Sequence, residues 1–152
     1  MQPLIEQAPA APLHAPMQVR VVGPESAGLT PADLRRLFRG RRLTPARRER
    51  LAGSGRVVAS CAGRVVGVAG YERAGSELRV HEFGVDNLSP CPVEQTATAL
   101  LDALEVACLA GGGRRLVLLP RAVVTSALLR PRGFVPIAEG CAGSWFVKAF
   151  PS

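Results

Sequence analysis

The sequence predicts an α/β domain built on one mixed β-sheet, and three observations carry that prediction. First, the runs Arg56–Cys61, Val65–Arg73 and Leu78–Val85 follow one another with only short Gly-containing turns between them, the pattern of an antiparallel meander. Second, the period then changes: Val93, Ala97, Leu100, Leu101, Leu104 and Cys108 share one helical face over Val93–Ala110. Third, the wholly apolar run Leu116–Leu119 follows, as a buried strand would read. Strand, long helix, strand is a crossover unit, which makes Leu78–Val85 and Leu116–Leu119 parallel neighbours in one sheet.

The elements follow in order. Met17–Val22 alternates apolar and polar residues and ends at Gly23-Pro24, as a half-buried strand should. Thr30-Pro31-Ala32-Asp33 is a helix start: Thr30 caps, Pro31 suits the first turn, and Asp33 faces the positive end of the dipole. Leu34, Leu37 and Phe38 share a face, and Gly40 breaks the helix. Thr44-Pro45 opens a second short helix that Gly53 closes. The meander comes next, turned by Ala62-Gly63-Arg64 and Ala74-Gly75-Ser76. Gly111-Gly112-Gly113 stops the long helix, and Leu116–Leu119 is a strand. A short helix covers Ala122–Leu129 and ends at Arg130-Pro131. Phe134–Ile137 and Ser144–Phe150 close the chain as strands joined by a Gly-containing loop. Residues 1–16 read as a Pro/Ala-rich tail, and residues 17–152 as the single domain.

At 152 residues and 47% apolar composition the chain has core enough for one domain, and two would each be short of buried area. Aromatic residues make up only 5%, so the core is built from Leu, Val and Ala. No apolar run reaches bilayer-spanning length, and the first 16 residues, with four prolines, Glu6 and no Lys or Arg, are not a secretory signal. Cys61, Cys91, Cys108 and Cys141 are widely spaced with no CxxC pair, which excludes a zinc ribbon and gives no disulfide framework. A cytoplasmic protein without membrane attachment or metal is expected. The net charge is +7, unevenly spread. Arg35, Arg36, Arg39, Arg41, Arg42, Arg47, Arg48 and Arg50 crowd one stretch in which Glu49 is the only acid, whereas no Lys or Arg lies between Arg79 and Arg114. The cluster is either a solvated helix face or a site for an acidic partner. Phe38 is the only aromatic within it, so there is no stacking platform for nucleic acid.

The order of helix pair, meander, crossover helix, strand, short helix and final hairpin, over Gln18–Phe150, resembles the GNAT superfamily of N-acyltransferases. The residues that carry the resemblance are Phe83-Gly84-Val85-Asp86, then Ala99-Leu100-Leu101-Asp102-Ala103-Leu104-Glu105, then Gly113-Arg114-Arg115-Leu116-Val117-Leu118-Leu119-Pro120, and a later Arg132-Gly133-Phe134-Val135-Pro136. The resemblance implies that acyl-CoA, with acetyl-CoA as the co-substrate, lies between splayed fourth and fifth strands. Backbone groups of Phe83, Gly84 and Val85 would align the pantetheine arm. The turn Val93–Ala97, with Val93, Gln95, Thr96 and Ala97, would receive the pyrophosphate at a helix N-terminus. The family pattern there is Arg/Gln-x-x-Gly-x-Gly/Ala. This sequence departs from it, with Pro92 at the first position, Gln95 at the first Gly and Ala97 at the second. Pro90 and Pro92 lack N–H donors, and Glu94 brings a negative charge.

The resemblance also implies a base on the fourth strand. Glu82 is the matching residue, with His81 beside it. Strand alternation lets only one of the two face the acceptor. The family's acid for the departing thiolate, a Tyr four residues before the Gly-Phe step, is replaced by Leu129; Tyr71, the only tyrosine, reads as an amphipathic residue at a sheet edge. Cys91, just before the long helix, is a conceivable reactive thiol, though no base for it is identifiable. The leading expectation is acyl transfer from acyl-CoA to an amine on a small molecule or protein, by a homodimer paired through its terminal strands. The alternative is a non-catalytic module of the same fold that binds a partner, favoured by the eroded turn and Leu129. A basic nucleic-acid-associated protein rests on the arginine cluster alone.

Overall fold

In a computed structural model, residues 16–24, 29–40, 43–119, 124–137 and 145–151 are described. They form a seven-stranded mixed sheet in the order β1-β2-β3-β4-β5-β7-β6. The strands are β1 (Met17–Val22), β2 (Gly55–Cys61), β3 (Arg64–Ala74), β4 (Glu77–Val85), β5 (Arg115–Leu118), β6 (Val135–Ile137) and β7 (Trp145–Ala149). The helices are α1 (Pro31–Leu37), α2 (Pro45–Ala52), α3 (Val93–Ala110) and α4 (Ser126–Leu129). Strands β1 to β4 form the antiparallel meander, and β4 and β5 pair in parallel. Strand β7 pairs antiparallel with both β5 and β6. The mixed sheet and the parallel crossover expected from the sequence are therefore present. Residues 1–15 of the expected tail, residue 144 with the loop before it, and residues 122–123 of the expected Ala122–Leu129 helix lie outside the described residues; the helix itself starts later than expected, at Ser126, because Thr125 is extended and caps it.

Local chemistry accounts for the element ends. The Thr30 hydroxyl accepts from Asp33 N–H at 3.0 Å while the Asp33 carboxylate accepts from Thr30 N–H at 3.1 Å, a reciprocal capping box that opens α1. Thr44 caps α2 by accepting from Arg47 N–H at 3.2 Å. The β2–β3 hairpin turns on Ala62 and Gly63, with φ of 55° and 76°, the paired left-handed conformation of a two-residue turn that matches strand twist. The α-helix ends at Leu129, just before Arg130-Pro131, as expected. The chain continues as a 3₁₀ turn over Arg130–Arg132, where Pro sits in a first turn and forfeits no bond, and Gly133 with φ of 92° stops it.

Helix α3 covers one face of the sheet. Leu100, Leu101, Leu104 and Cys108 pack there with Val57, Ala69, Leu78, Val80, Phe83, Val85, Leu116 and Leu118. On the other face α1 and α2 enclose a smaller cluster of Leu37, Phe38, Leu43, Leu51, Val58 and Val68. Tyr71 is buried on β3, between β2 and β4, and packs in the α3-side core. It is an interior residue and not an edge residue; the hydroxyl that made an edge seem apt lies against Gly55, where a Cβ would come within 3.0 Å of it. No helix among the described residues is long and apolar enough to cross a membrane.

Candidate active site

The site is set by a break in the alternation of β4. Leu78 and Val80 face α3, and so do Phe83 and Val85. The apolar spacing is therefore two, three, two, and one extra residue must be absorbed. The β3–β4 register shifts at that point: Gly70 lies opposite Glu82 and Tyr71 opposite Val80, leaving His81 as the bulged residue. The consequence corrects the expectation that His81 and Glu82 face opposite sides. Both side chains reach α2 or its C-terminal end. Glu82 accepts two hydrogen bonds from Arg47, Nε to Oε2 at 2.6 Å and Nη2 to Oε1 at 2.8 Å. His81 Nε2 lies 3.0 Å from Ser54 Oγ.

Glu82 is 4% exposed and Arg47 closes its outer side, so the carboxylate is a buried half of a bidentate pair. The bond from Glu82 raises the affinity of the Arg47 guanidinium for its proton. The His81 tautomer follows from its neighbour. Ser54 Oγ gives its proton to the Arg50 carbonyl, so the hydroxyl has only lone pairs left for the imidazole and Nε2 must carry the hydrogen. The free lone pair is then on Nδ1, which is buried and has no hydrogen-bond partner among the described residues. Burial, followed by the nearby Arg50 cation, holds His81 below its ordinary range, so the ring is neutral at pH 7.

Beside these residues the sheet opens. The parallel ladder pairs Glu77–Val80 with Arg115–Leu118 and stops there. Strand β4 runs on through His81–Val85, and among the described residues no strand pairs with that second edge. Of the residues expected to line it, Phe83 and Val85 send their side chains into the α3-side core, and Gly84 faces α1. A Cβ on Gly84 would stand 2.8 Å from the Phe38 ring and 3.0 Å from the Leu37 carbonyl, so glycine permits α1 to lie close on the strand.

Helix α3 begins at the same end of the parallel pair. Its cap is Pro92, which has no side-chain group to bond the first turn, so among the described residues the cap leaves the first N–H groups to an anion. Val93 is half-buried and Gln95 exposed, whereas Thr96 and Ala97 are fully buried. Thr96 returns its hydroxyl to the Pro92 carbonyl at 3.3 Å, and its methyl lies where a Cβ on Gly67 would be. It fastens the turn to the sheet. Cys91 is 2% exposed, and burial together with its contact to Cys61 pushes its thiol up to about 11, so it is not an activated thiolate. Leu129 is fully buried in the α3-side core. Among the described residues no group of three His, Cys, Asp or Glu side chains could hold a metal ion.

The arginine cluster resolves into two populations. Arg36 bonds to Asp33 at 2.7 Å and pairs with buried Asp86 at 3.4 Å; Arg39 approaches Asp86 at 3.7 Å. Arg47 holds Glu82, and Arg50 holds Glu72 at 2.7 Å. These residues clamp the two helices to acids on or just beyond the strands, a use the sequence could not reveal because the partners are far away in the chain. Arg35 and Arg48 are exposed and line a cavity of about 860 Å³ between α1 and α2 with Leu34, Phe38, Leu43 and Leu51. Arg56, 2% exposed, also lines it and donates to the last α2 carbonyls, Leu51 at 3.0 Å and Ala52 at 2.8 Å.

Comparison with solved structures identifies the architecture. N-acetylglutamate synthase from Neisseria gonorrhoeae, complexed with coenzyme A and N-acetyl-glutamate, superposes with a TM-score of 0.69 at 14% identity, over 96% of this chain and 37% of that one. The IAA acetyltransferase from Bacillus cereus gives 0.66 at 12% identity, over 89% of this chain and 100% of that one. PaiA N-acetyltransferase from Thermoplasma acidophilum, in complex with coenzyme A, gives 0.54 at 12% identity, over 62% of this chain and 60% of that one. The chain thus spans well under two thirds of the Neisseria protein and 60% of the Thermoplasma protein. No protein-family model matches the sequence, and no curated protein does. At these identities the likeness establishes the fold, which is that of the GNAT acyltransferases.

Proposed function

We propose that this chain is an N-acyltransferase that moves an acetyl or similar group from acyl-CoA to an amine. The observation that carries the reading is the edge of β4 that β5 leaves unpaired among the described residues: the parallel ladder ends at Val80 and Leu118 while β4 continues to Val85, beside an α3 N-terminus whose cap, Pro92, makes no side-chain bond. Backbone groups of Phe83, Gly84 and Val85, on the stretch of β4 beyond the parallel ladder, suit the amides of a pantetheine arm, which would add like a strand. The first N–H groups of α3, in the turn from Val93 through Gln95, suit a pyrophosphate, while buried Thr96 and Ala97 hold that turn against the sheet. The fit is partial, because Glu94 opposes an anion and the preceding loop supplies no cation.

Of the two expected bases, His81 is the one we assign to proton removal, through the Nδ1 lone pair; access to that nitrogen requires the acceptor or a water to reach beneath α2. Glu82 has both oxygens engaged by Arg47 and serves in this reading to hold α2 over the site. The acceptor would be a small molecule or protein bearing an amine. Arg35 and Arg48, without acidic partners among the described residues, would suit an acidic group on it. We place the protein in the cytoplasm. It would pair as a homodimer through the terminal strands, where edge strand β6 exposes Val135 and its partner β7 exposes Trp145.

The test is release of CoA thiol from acetyl-CoA in the presence of amine mixtures. We expect turnover that H81A lowers at least about 100-fold in kcat with acetyl-CoA affinity unchanged, and that E82Q lowers only through stability. Turnover unaffected by H81A would remove the base assignment. A second reading, a non-catalytic partner-binding module, is favoured by one observation: Leu129 fills the core where the fold's tyrosine acid would stand. Absence of acetyl-CoA binding would select it. Nucleic-acid association has less support, because Arg36, Arg39, Arg47 and Arg50 are already paired within the chain.

A further inference from the structure

Cys61 and Cys91 are 30 residues apart in the sequence, yet their sulfurs lie 2.7 Å from each other. Both are buried, at 4% and 2% exposure. Even carbon atoms prefer a separation of about 3.5–4.0 Å, so this is closer than two larger sulfur atoms sit when merely packed. A disulfide needs about 2.05 Å between sulfurs. Both positions are anchored. Cys61 ends β2 opposite Arg64, immediately before the Ala62-Gly63 turn. Cys91 directly precedes Pro92, the cap of α3, and its carbonyl accepts from Ser89 Oγ at 3.1 Å. Cys108 does not compete, since it lies on the last turns of α3 with its thiol directed to the Arg115 carbonyl at 3.4 Å.

We propose that Cys61 and Cys91 form a reversible disulfide, made by exchange with a low-molecular-weight disulfide, that staples the β2–β3 hairpin to the start of α3. In the first step one protein thiol loses its proton and its thiolate attacks the small disulfide. A mixed disulfide forms and one small thiolate leaves. The second protein thiolate then attacks the protein sulfur of that mixed disulfide, the protein S–S bond forms, and the second small thiolate leaves. Two protein thiols are oxidised, one small disulfide is reduced to two thiols, and the two protons pass to them. Because burial raises the Cys91 thiol to about 11, exchange is slow near neutral pH and accelerates as pH rises. The inference does not depend on acyl transfer.

The experiment incubates the full chain with oxidised glutathione across a pH series, alkylates under denaturing conditions without reductant, and digests with trypsin. The expected product links the peptide Val57–Arg64, which carries Cys61, to Val80–Arg114, which carries Cys91 and Cys108. The C108S variant must keep that linkage, whereas C61S and C91S must lose it. The linked protein should melt higher than its reduced form by several degrees, and reductant should restore the lower value. Two fully alkylatable thiols after prolonged alkaline incubation, glutathione adducts alone, or a bridge to Cys108 or Cys141 would each overturn the proposal. Fragmentation of the linked wild-type peptide pair by tandem mass spectrometry tells Cys91 from Cys108, so a variant that fails to fold does not obscure the result.

Discussion

Arg47 and Glu82 lie 35 residues apart and meet in a two-bond fork over the middle of β4. Removing one partner strands the other, and a stranded buried carboxylate is costly. We expect R47A to lower unfolding free energy by about 2–3 kcal/mol, somewhat less than for a fully buried pair because Arg47 is 35% exposed. The double variant R47M/E82M should recover most of that loss, which urea denaturation would resolve. His81 gives a pH signature. Its folded pKa lies below the usual 6.5, so the unfolded chain binds the proton more tightly, and the stability this residue contributes is complete above about 6.5 and is lost as pH falls through the folded value. H81Q should flatten that part of the stability–pH curve; an unchanged slope would mean the ring is not desolvated. In the sequence His81 and Glu82 are adjacent polar residues that interrupt the polar–apolar alternation of Glu77–Val80. Their common side was also legible, in the two-three-two spacing of Leu78, Val80, Phe83 and Val85, but strict alternation hides it. Arg47 as the partner was not legible, because nothing local to residue 47 points to residue 82.

The elements were read closely because their signals are local. Caps Thr30 and Thr44, the Ala62-Gly63 turn and the one-sided face of α3 each act within a few residues, and the strand and helix bounds fall within a residue or so of expectation through β5. Where tertiary contact decides, local pattern misleads: Tyr71, expected at a sheet edge, is interior. Gly84 is such a contact position. G84A must push against both the Phe38 ring and the fixed Leu37 carbonyl, so it should cost about 1–3 kcal/mol. A Cβ on Gly70 would stand 2.6 Å from Leu51 Cδ1 and 3.0 Å from the His81 ring, both side-chain atoms and not fixed backbone. G70A should therefore cost less than G84A. The reverse order in thermal or chemical denaturation would contradict the packing of α1 on β4.

At the scale of the molecule, net charge misleads. A chain of +7 would be expected to carry an open basic face, yet Arg36, Arg39, Arg47 and Arg50 bind α1 and α2 to Asp86, Glu82 and Glu72 on or just after the strands. Binding to DNA should accordingly be weak, and its salt slope should reflect the few unpaired arginines and not the whole cluster. The parallel ladder ends at Val80 and Leu118, and Pro92 gives the start of α3 no side-chain cap; the acyl-CoA proposal depends on the joint use of these two features. The measurement that tests it most directly is calorimetric titration of the purified chain with acetyl-CoA, with free CoA and ADP as comparisons. The account predicts saturable binding with a micromolar dissociation constant, shared by CoA and much weaker for ADP, which lacks the pantetheine arm that Phe83–Val85 would hold. No heat of binding at millimolar acetyl-CoA would contradict it and leave the fold as a partner-binding module.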